Sequence, residues 1–199
     1  LALLSLSRFR DLSVGEQIGY YMQASHLMEI GEPPEITQLG LNIFAIQAAW
    51  LFWPISLVAR LFPTGEFLLT IQALSLGVAV VPIWRIARGP ANLRTGGAVV
   101  LAVAYSLHPS IHNLNLAGFH PEAIAIPALL AAYLAGHYEK WLTSSGLLFL
   151  VLLSRADLGL AVVAIGVIFI LENRKVAGRI ISFVGLLWFL LMAFWVQPS

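Results

Sequence analysis

"FLLTIQALSLGVAVVPIWRIAR", Phe67 to Arg88, is apolar for almost its whole length and closes on a tryptophan and two arginines. Similar runs follow it over Gly97–His112, Pro121–Tyr138, Trp141–Ser154, Leu158–Leu171 and Ile180–Val196. The composition fits such a series: 59% of the chain is hydrophobic, 11% is charged and the mean hydropathy is +0.86. A water-soluble globule carries about twice that charged share. The fold expected is all-α, a multi-pass transmembrane helical bundle with about six helices over residues 66–199.

The connections between the runs set an orientation. Basic residues occupy every second one: Arg85, Arg88 and Arg94, then Lys140, then Arg174, Lys175 and Arg179. Positive charge marks the cytoplasmic side, so the intervening "HPSIHNLNLAGFHPE", "SRAD" and the C-terminal "WVQPS" face outward. A net charge of +1, with no basic stripe to track phosphates, gives no nucleic-acid signature. The absence of cysteine excludes disulfides, thiolate nucleophiles and Cys-type zinc sites. The opening "LALLSLS" reads as the last turns of an apolar helix, so residues 1–7 are expected to be the end of a truncated transmembrane helix.

Residues 8–65 then form the first external loop. Ser13 and Glu16 have the spacing of a capping box, Gly31 suits the position after a helix, and Pro33 and Pro34 stop it, which predicts a helix from Val14 to Ile30. Val14, Ile18, Tyr21, Met22 and Met28 share one face and Glu16, Gln17, Tyr20 and Gln23 point elsewhere, as in an amphipathic helix lying on a membrane. Asp11 precedes its N-terminus and complements the helix dipole. The stretch from 41 to 62 is long enough to span, yet Trp50, Trp53, Pro54 and Arg60 favour an interfacial or re-entrant segment.

Two arms of about 14 residues flank "SRAD". At roughly 1.5 Å per residue each reaches about 21 Å, short of the roughly 30 Å hydrocarbon core, so the shared turn is expected to be recessed from the outer surface. Arg155 and Asp157 then either bind a ligand in an outward-open cavity or form a structural ion pair, with Asp157 also placed to cap the next helix. In "FHPE" the proline and glutamate fit a helix start, which leaves the gathering of His108, His112, Asn113, Asn115 and His120 unaccounted for. Pro109 between His108 and His112 argues against a zinc pair. The histidines and asparagines suit hydrogen bonds to a phosphate or sugar, and Glu122 suits a hard cation such as Mg²⁺.

Three stretches carry a family resemblance: "LFPTGEFLLTIQALSLGVAVVPIWRIAR", "AVAYSLHPSIHNLNLAGFHPEAIAIPALLAAYL" and "LLSRADLGLAVVAIGVIFIL". They resemble the bacterial membrane-protein family called domain of unknown function 2079, with "GFHPEA" the most specific element. That family is in turn similar to GT-C-type glycosyltransferases, which take a sugar from a polyprenyl-phosphate carrier at the external face. The resemblance implies a GT-C-like fold in a bacterial plasma (inner) membrane, with juxtamembrane helices at 14–30 and 41–62 and Asp11 as candidate catalytic base. The chain departs from the family pattern at Gly118 and Ala156, where acidic residues are usual, and near Asn42, where a histidine is.

The function expected is glycosyl transfer from a lipid-phosphate donor. Asp11 would be the base, His120 and Arg155 would stabilise the departing phosphate, and His112, Asn115 and Asp157 would complete the substrate site. Glu122 would bind a divalent metal or orient His120. The alternative is a non-catalytic accessory subunit of a larger membrane complex. A transporter ranks third, because the spans hold few charged residues away from their outer ends.

Overall fold

The structure is a computed structural model that describes residues 1–196; the end of the C-terminal "WVQPS" lies outside the described residues. The chain is mostly helical. Helix α1 covers Ala2–Arg10, α2 Gln17–Glu29, α3 Ile43–Gln47, α4 Phe52–Ala59, α5 Thr64–Val78 and α6 Val80–Arg88. Next come α7 Thr95–Leu107, α8 Pro109–Leu116, α9 Glu122–His137, α10 Trp141–Ser154, α11 Leu158–Leu171 and α12 Lys175–Leu191, the last continued by a π turn, Met192–Val196.

Among the described residues, two helices are long and apolar enough to cross a membrane: Thr64–Arg88, 25 residues made of α5 and α6, and Lys175–Val196, 22 residues. The seam at Ala79 has a local cause. Pro82 has no N–H to return to Val78, so the helical ladder is interrupted one turn before it. Helices α9, α10 and α11 are apolar but shorter, at 16, 14 and 14 residues.

The predicted run Gly97–His112 is not one helix. His108 is extended (φ −65°, ψ 125°) and separates α7 from α8, because a residue preceding proline is pushed out of the helical region. Its Nδ1 accepts the Ser110 N–H at 3.2 Å, so His108 caps α8 from outside the helix rather than pairing with His112 on one face.

The expected capping box is also absent. Helix α2 starts at Gln17 with no side-chain cap; the Ser13 hydroxyl donates to Arg8 O at 3.2 Å, closing the end of α1, and Glu16 accepts from the Tyr20 hydroxyl. Gly15 sits between them, pressed so closely on Ala117 O that an added Cβ would lie 2.2 Å from it. Gln17, placed by sequence on the polar face, is half-buried. The other end of α2 is as read: Gly31 has φ +81° and the Glu32 N–H bonds back to Leu27 O, a Schellman closure.

Strands β1 (Glu35–Ile36) and β2 (Leu41–Asn42) form a two-residue antiparallel hairpin, an addition to the all-α expectation, with Glu35 opposite Asn42. From there, residues 41–62 do not make one spanning helix. Ala48, in the left-handed region (φ 49°), ends α3, and α4 begins at Phe52. At about 1.5 Å per residue, helices of five and eight residues are too short to cross a bilayer.

Packing falls into two cores. Ile18, Tyr21, Phe52, Leu68, Leu69 and Phe119 centre the first, joining α2 and α4 to α5. Ala128, Val151, Val162 and Phe169 centre the second, within α9 to α11 and against Ile181 of α12. Helices α11 and α12 meet backbone to backbone. A Cβ on Gly159 would lie 2.7 Å from Gly185 O, and one on Gly166 2.7 Å from Gly178 O; the reverse contacts are as tight. Two glycines seven apart on each helix of an antiparallel pair thus admit an approach that larger side chains would block. At the far end, Glu172 accepts the Tyr133 hydroxyl at 2.7 Å and lies 3.2 Å from His137 Nδ1, tying α9 to the end of α11.

Candidate functional site

The site begins with a loop made rigid by a residue with no obvious motif. Gln72, fully buried in α5, donates from Nε2 to Leu114 O at 3.1 Å and Gly118 O at 2.9 Å, while its Oε1 accepts the His120 N–H at 2.6 Å. A single amide therefore satisfies three main-chain groups of the turn that leads from α8 to α9. Gly118 takes φ +138° there, a conformation that side-chain-bearing residues rarely adopt. Phe119, fully buried, anchors the turn by its edge contact with Tyr21, at 5.0 Å between ring centroids. Gly118→Ala should lower stability by about 1–2 kcal/mol through backbone strain alone, since its Cβ would meet only ordinary contacts; an unchanged thermal midpoint would refute this.

Beyond that anchor the chain presents His120 and Glu122, with Pro121 at the N-cap position of α9. Glu122 Oε1 accepts from Arg155 Nη1 at 2.8 Å and lies 3.3 Å from His120 Nδ1. Arg155 turns its other edge to Asp157, Nε to Oδ1 and Nη2 to Oδ2, both at 2.8 Å. This bidentate pairing is the geometry a guanidinium fork and a carboxylate favour. Asp157 is the positional N-cap of α11, but its side chain makes no capping bond because Arg155 holds it. Burial opposes the Arg155 charge; the hydrogen bonds and charges of Asp157 and Glu122 outweigh it and hold its pKa above the ordinary value.

The "SRAD" turn and the last turn of α10 are held by main-chain bonds to the end of α3 and the segment that follows it. The Leu51 N–H donates to Leu153 O at 2.8 Å and the Ala156 N–H to Gln47 O at 3.2 Å. Tyr21, from α2, donates its hydroxyl to Gln47 Oε1 at 3.0 Å. Burial and the Glu122 charge push the Tyr21 phenol up, with Arg155 opposing, so this hydroxyl stays a donor throughout the ordinary pH range. Gln47, Arg155 and Asp157 together line a cavity of about 250 Å³, walled by Ile46, Phe189 and Ala193.

The sequence-predicted residues are only partly brought together. His120, Glu122, Arg155 and Asp157 form one cluster. His112 Nε2 instead lies 2.9 Å from Ser106 O, and Asn115, 1% exposed, donates to Leu1 O at 3.1 Å. Neither shares a hydrogen bond with the cluster. Asp11 is exposed at the end of α1, and its carboxylate makes no hydrogen bond or ion pair among the described residues. It belongs to the same end of the fold: its neighbour Arg10 pairs with Glu66 in the first turn of α5, and Gly15, four residues on, rests against Ala117.

Glu122 shares the Arg155 guanidinium with Asp157, at 2.8 Å in each case, and the described residues contain no group of three or more His, Asp or Glu that could hold a metal ion. Its other oxygen, Oε2, and His120 Nε2 are buried without a partner. Buried polar atoms of this kind are normally satisfied, and a ligand hydroxyl would do so. The sequence reading missed Gln72, Tyr21 and Gln47. A glutamine in the middle of an apolar run was the available signal for Gln72.

No curated protein and no solved structure matches the chain. The family model described as a predicted membrane protein, DUF2079, matches residues 11–199 and so takes in α2 to α12 and every member of the cluster. The resemblance first seen in "GFHPEA" and its flanking apolar runs is thereby established at the level of the family: the chain belongs to DUF2079, a family of predicted membrane proteins of unknown function.

Proposed function

We propose that the chain is a GT-C-like glycosyltransferase-type protein, multi-pass in a bacterial plasma membrane, that handles a lipid-phosphate sugar donor at the external face. The observation that carries this reading is the setting of Arg155, which bridges Glu122 and Asp157 and lines a cavity of about 250 Å³. Asp11, with an unengaged carboxylate, belongs to the same end of the fold.

In this mechanism the acceptor hydroxyl passes its proton to Asp11 as its oxygen bonds to the anomeric carbon. The bond from that carbon to the phosphate oxygen breaks, and the electron pair leaves with the lipid phosphate. Arg155 meets the charge that develops there. Its Nε–Nη2 edge is occupied by Asp157, so the donor phosphate takes the place of that carboxylate on binding. Glu122 keeps Arg155 and the His120 ring in position and leaves His120 Nε2 for the donor. His112 and Asn115 support the turn from outside the cluster.

Incubation of the protein in bilayer nanodiscs with polyprenyl-phosphate sugars tests this reading. Asp11→Asn should reduce transfer by about 10²-fold or more, with an unchanged thermal midpoint because the side chain is exposed and unbonded. Turnover that survives the substitution removes Asp11 from the role.

One observation favours a second reading, that of an accessory subunit: Arg155 already spends its donors on the chain's own carboxylates. A stable complex with another membrane protein, together with no binding of lipid phosphate, would select it.

A further inference from the structure

Opposite the cluster, where the sequence gathers its basic connections, two cavities share a wall. The first, about 600 Å³, lies among α6, α9 and α10 and is lined by Arg85, Arg88 and Lys140, with Trp84 and Tyr138 beside them and no acidic residue. The second, about 370 Å³, is apolar apart from Arg85; Val78, Ile124 and Leu150 are among its walls. Arg85, Ala131, Leu134 and Leu147 line both, which makes one groove with a cationic head and an apolar tail.

The cations are available. Arg85 and Lys140 are exposed, and their side chains make no hydrogen bond or ion pair among the described residues; Arg88 spends one donor on Leu93 O. The cavity beside Trp141 is different in kind, because Glu139 lines it along with Arg174 and Lys175 and its charge is mixed. An apolar groove ending in uncompensated positive charge matches an amphiphile with an anionic head.

We propose that the groove between α6, α9 and α10 binds one molecule of an anionic phospholipid, its phosphate against Arg85, Arg88 and Lys140 and an acyl chain along Ala131, Leu134 and Leu147. The occupant is a bilayer lipid rather than a free phosphate because the cationic head alone would leave the apolar tail unfilled. Basic pockets between helices at a membrane surface hold acidic headgroups by the same charge complementarity.

The test is native mass spectrometry of the purified full chain titrated with phosphatidylglycerol and, separately, phosphatidylcholine. The wild type should retain one phosphatidylglycerol selectively. Arg85→Gln with Lys140→Gln should weaken that retention on the order of tenfold or more, while Arg94→Gln with Arg179→Gln, which removes the same charge from outside the groove, should not. Ala131→Phe should also displace the lipid with the charge intact, and soluble glycerol phosphate should compete poorly. Equal retention of both lipids, an unaffected Arg85/Lys140 variant, or an equal loss in the Arg94/Arg179 variant would each overturn the proposal. So would full displacement by glycerol phosphate with no effect of Ala131→Phe, which would identify a free-phosphate site.

Discussion

Gly166→Leu should separate α11 from α12 and destabilise the chain by about 3 kcal/mol or more. A Cβ at this position already lies 2.3 Å from Ser182 Oγ, 2.6 Å from Ser182 N and 2.7 Å from Gly178 O. Two of these atoms are main chain and cannot rotate away, so relief requires moving a whole helix. Overpacking a tight contact usually costs about 1–3 kcal/mol, and leucine brings three more carbons beyond its Cβ. Within a bilayer the loss is aggravated, because lipid offers no hydrophobic penalty to hold separated helices together. Thermal unfolding in detergent or nanodiscs measures it. Gly146→Leu provides the control, since a Cβ there meets nothing within 4 Å; equal midpoints for the two variants would refute the close-packing account.

The second large effect is expected at Gln72. Gln72→Leu keeps the volume but strands the His120 N–H and the carbonyls of Leu114 and Gly118, at a site where Gln72 itself is fully buried. Each unsatisfied buried group costs about 1–3 kcal/mol, so a total near 3–5 kcal/mol follows, less if water enters. The consequence extends past stability. His120 is placed through its own main-chain bond to Gln72, so loosening the turn should also disturb its contact with Glu122. A Gln72→Leu protein with native stability and rigid His120 exchange protection would show that the turn is held by Phe119 alone.

These two positions also mark the limits of what sequence could convey. Helices α10 and α11 came out at the 14 residues each that their apolar runs implied, and α2 ended at the glycine assigned to end it, because those signals are local. The cluster was partly legible too: "FHPE" and "SRAD" stood out as polar groups in apolar surroundings, and the ion pair between Arg155 and Asp157 had been one of two readings of their spacing. The join from Arg155 to Glu122 crosses 33 residues of sequence and left no periodic trace. Gln72 bonds a loop more than 40 residues away, so it looked like an isolated polar interruption.

The expected capping box shows what spacing leaves out. Ser13 fitted a capping box by spacing, yet the end of α1 competed for its hydroxyl. His112 Nε2 and Asn115 Nδ2 each meet a main-chain carbonyl outside the cluster, contacts that their residue type does not announce. Residue type shows what a side chain can bond to; the partner that takes the bond is decided by packing.

The main-chain bonds from Leu51 to Leu153 and from Ala156 to Gln47 have a consequence for how such a protein can diversify. Ile46 and Gln47 form one wall of the cavity beside Arg155, yet neither belongs to the charge cluster. Substitutions at those two positions can therefore recontour the pocket while the ionic grip on Asp157 and Glu122 stays intact. The contour of that cavity and the charge beside it are thus carried on separate stretches of chain, and substitution can alter the one without rebuilding the other.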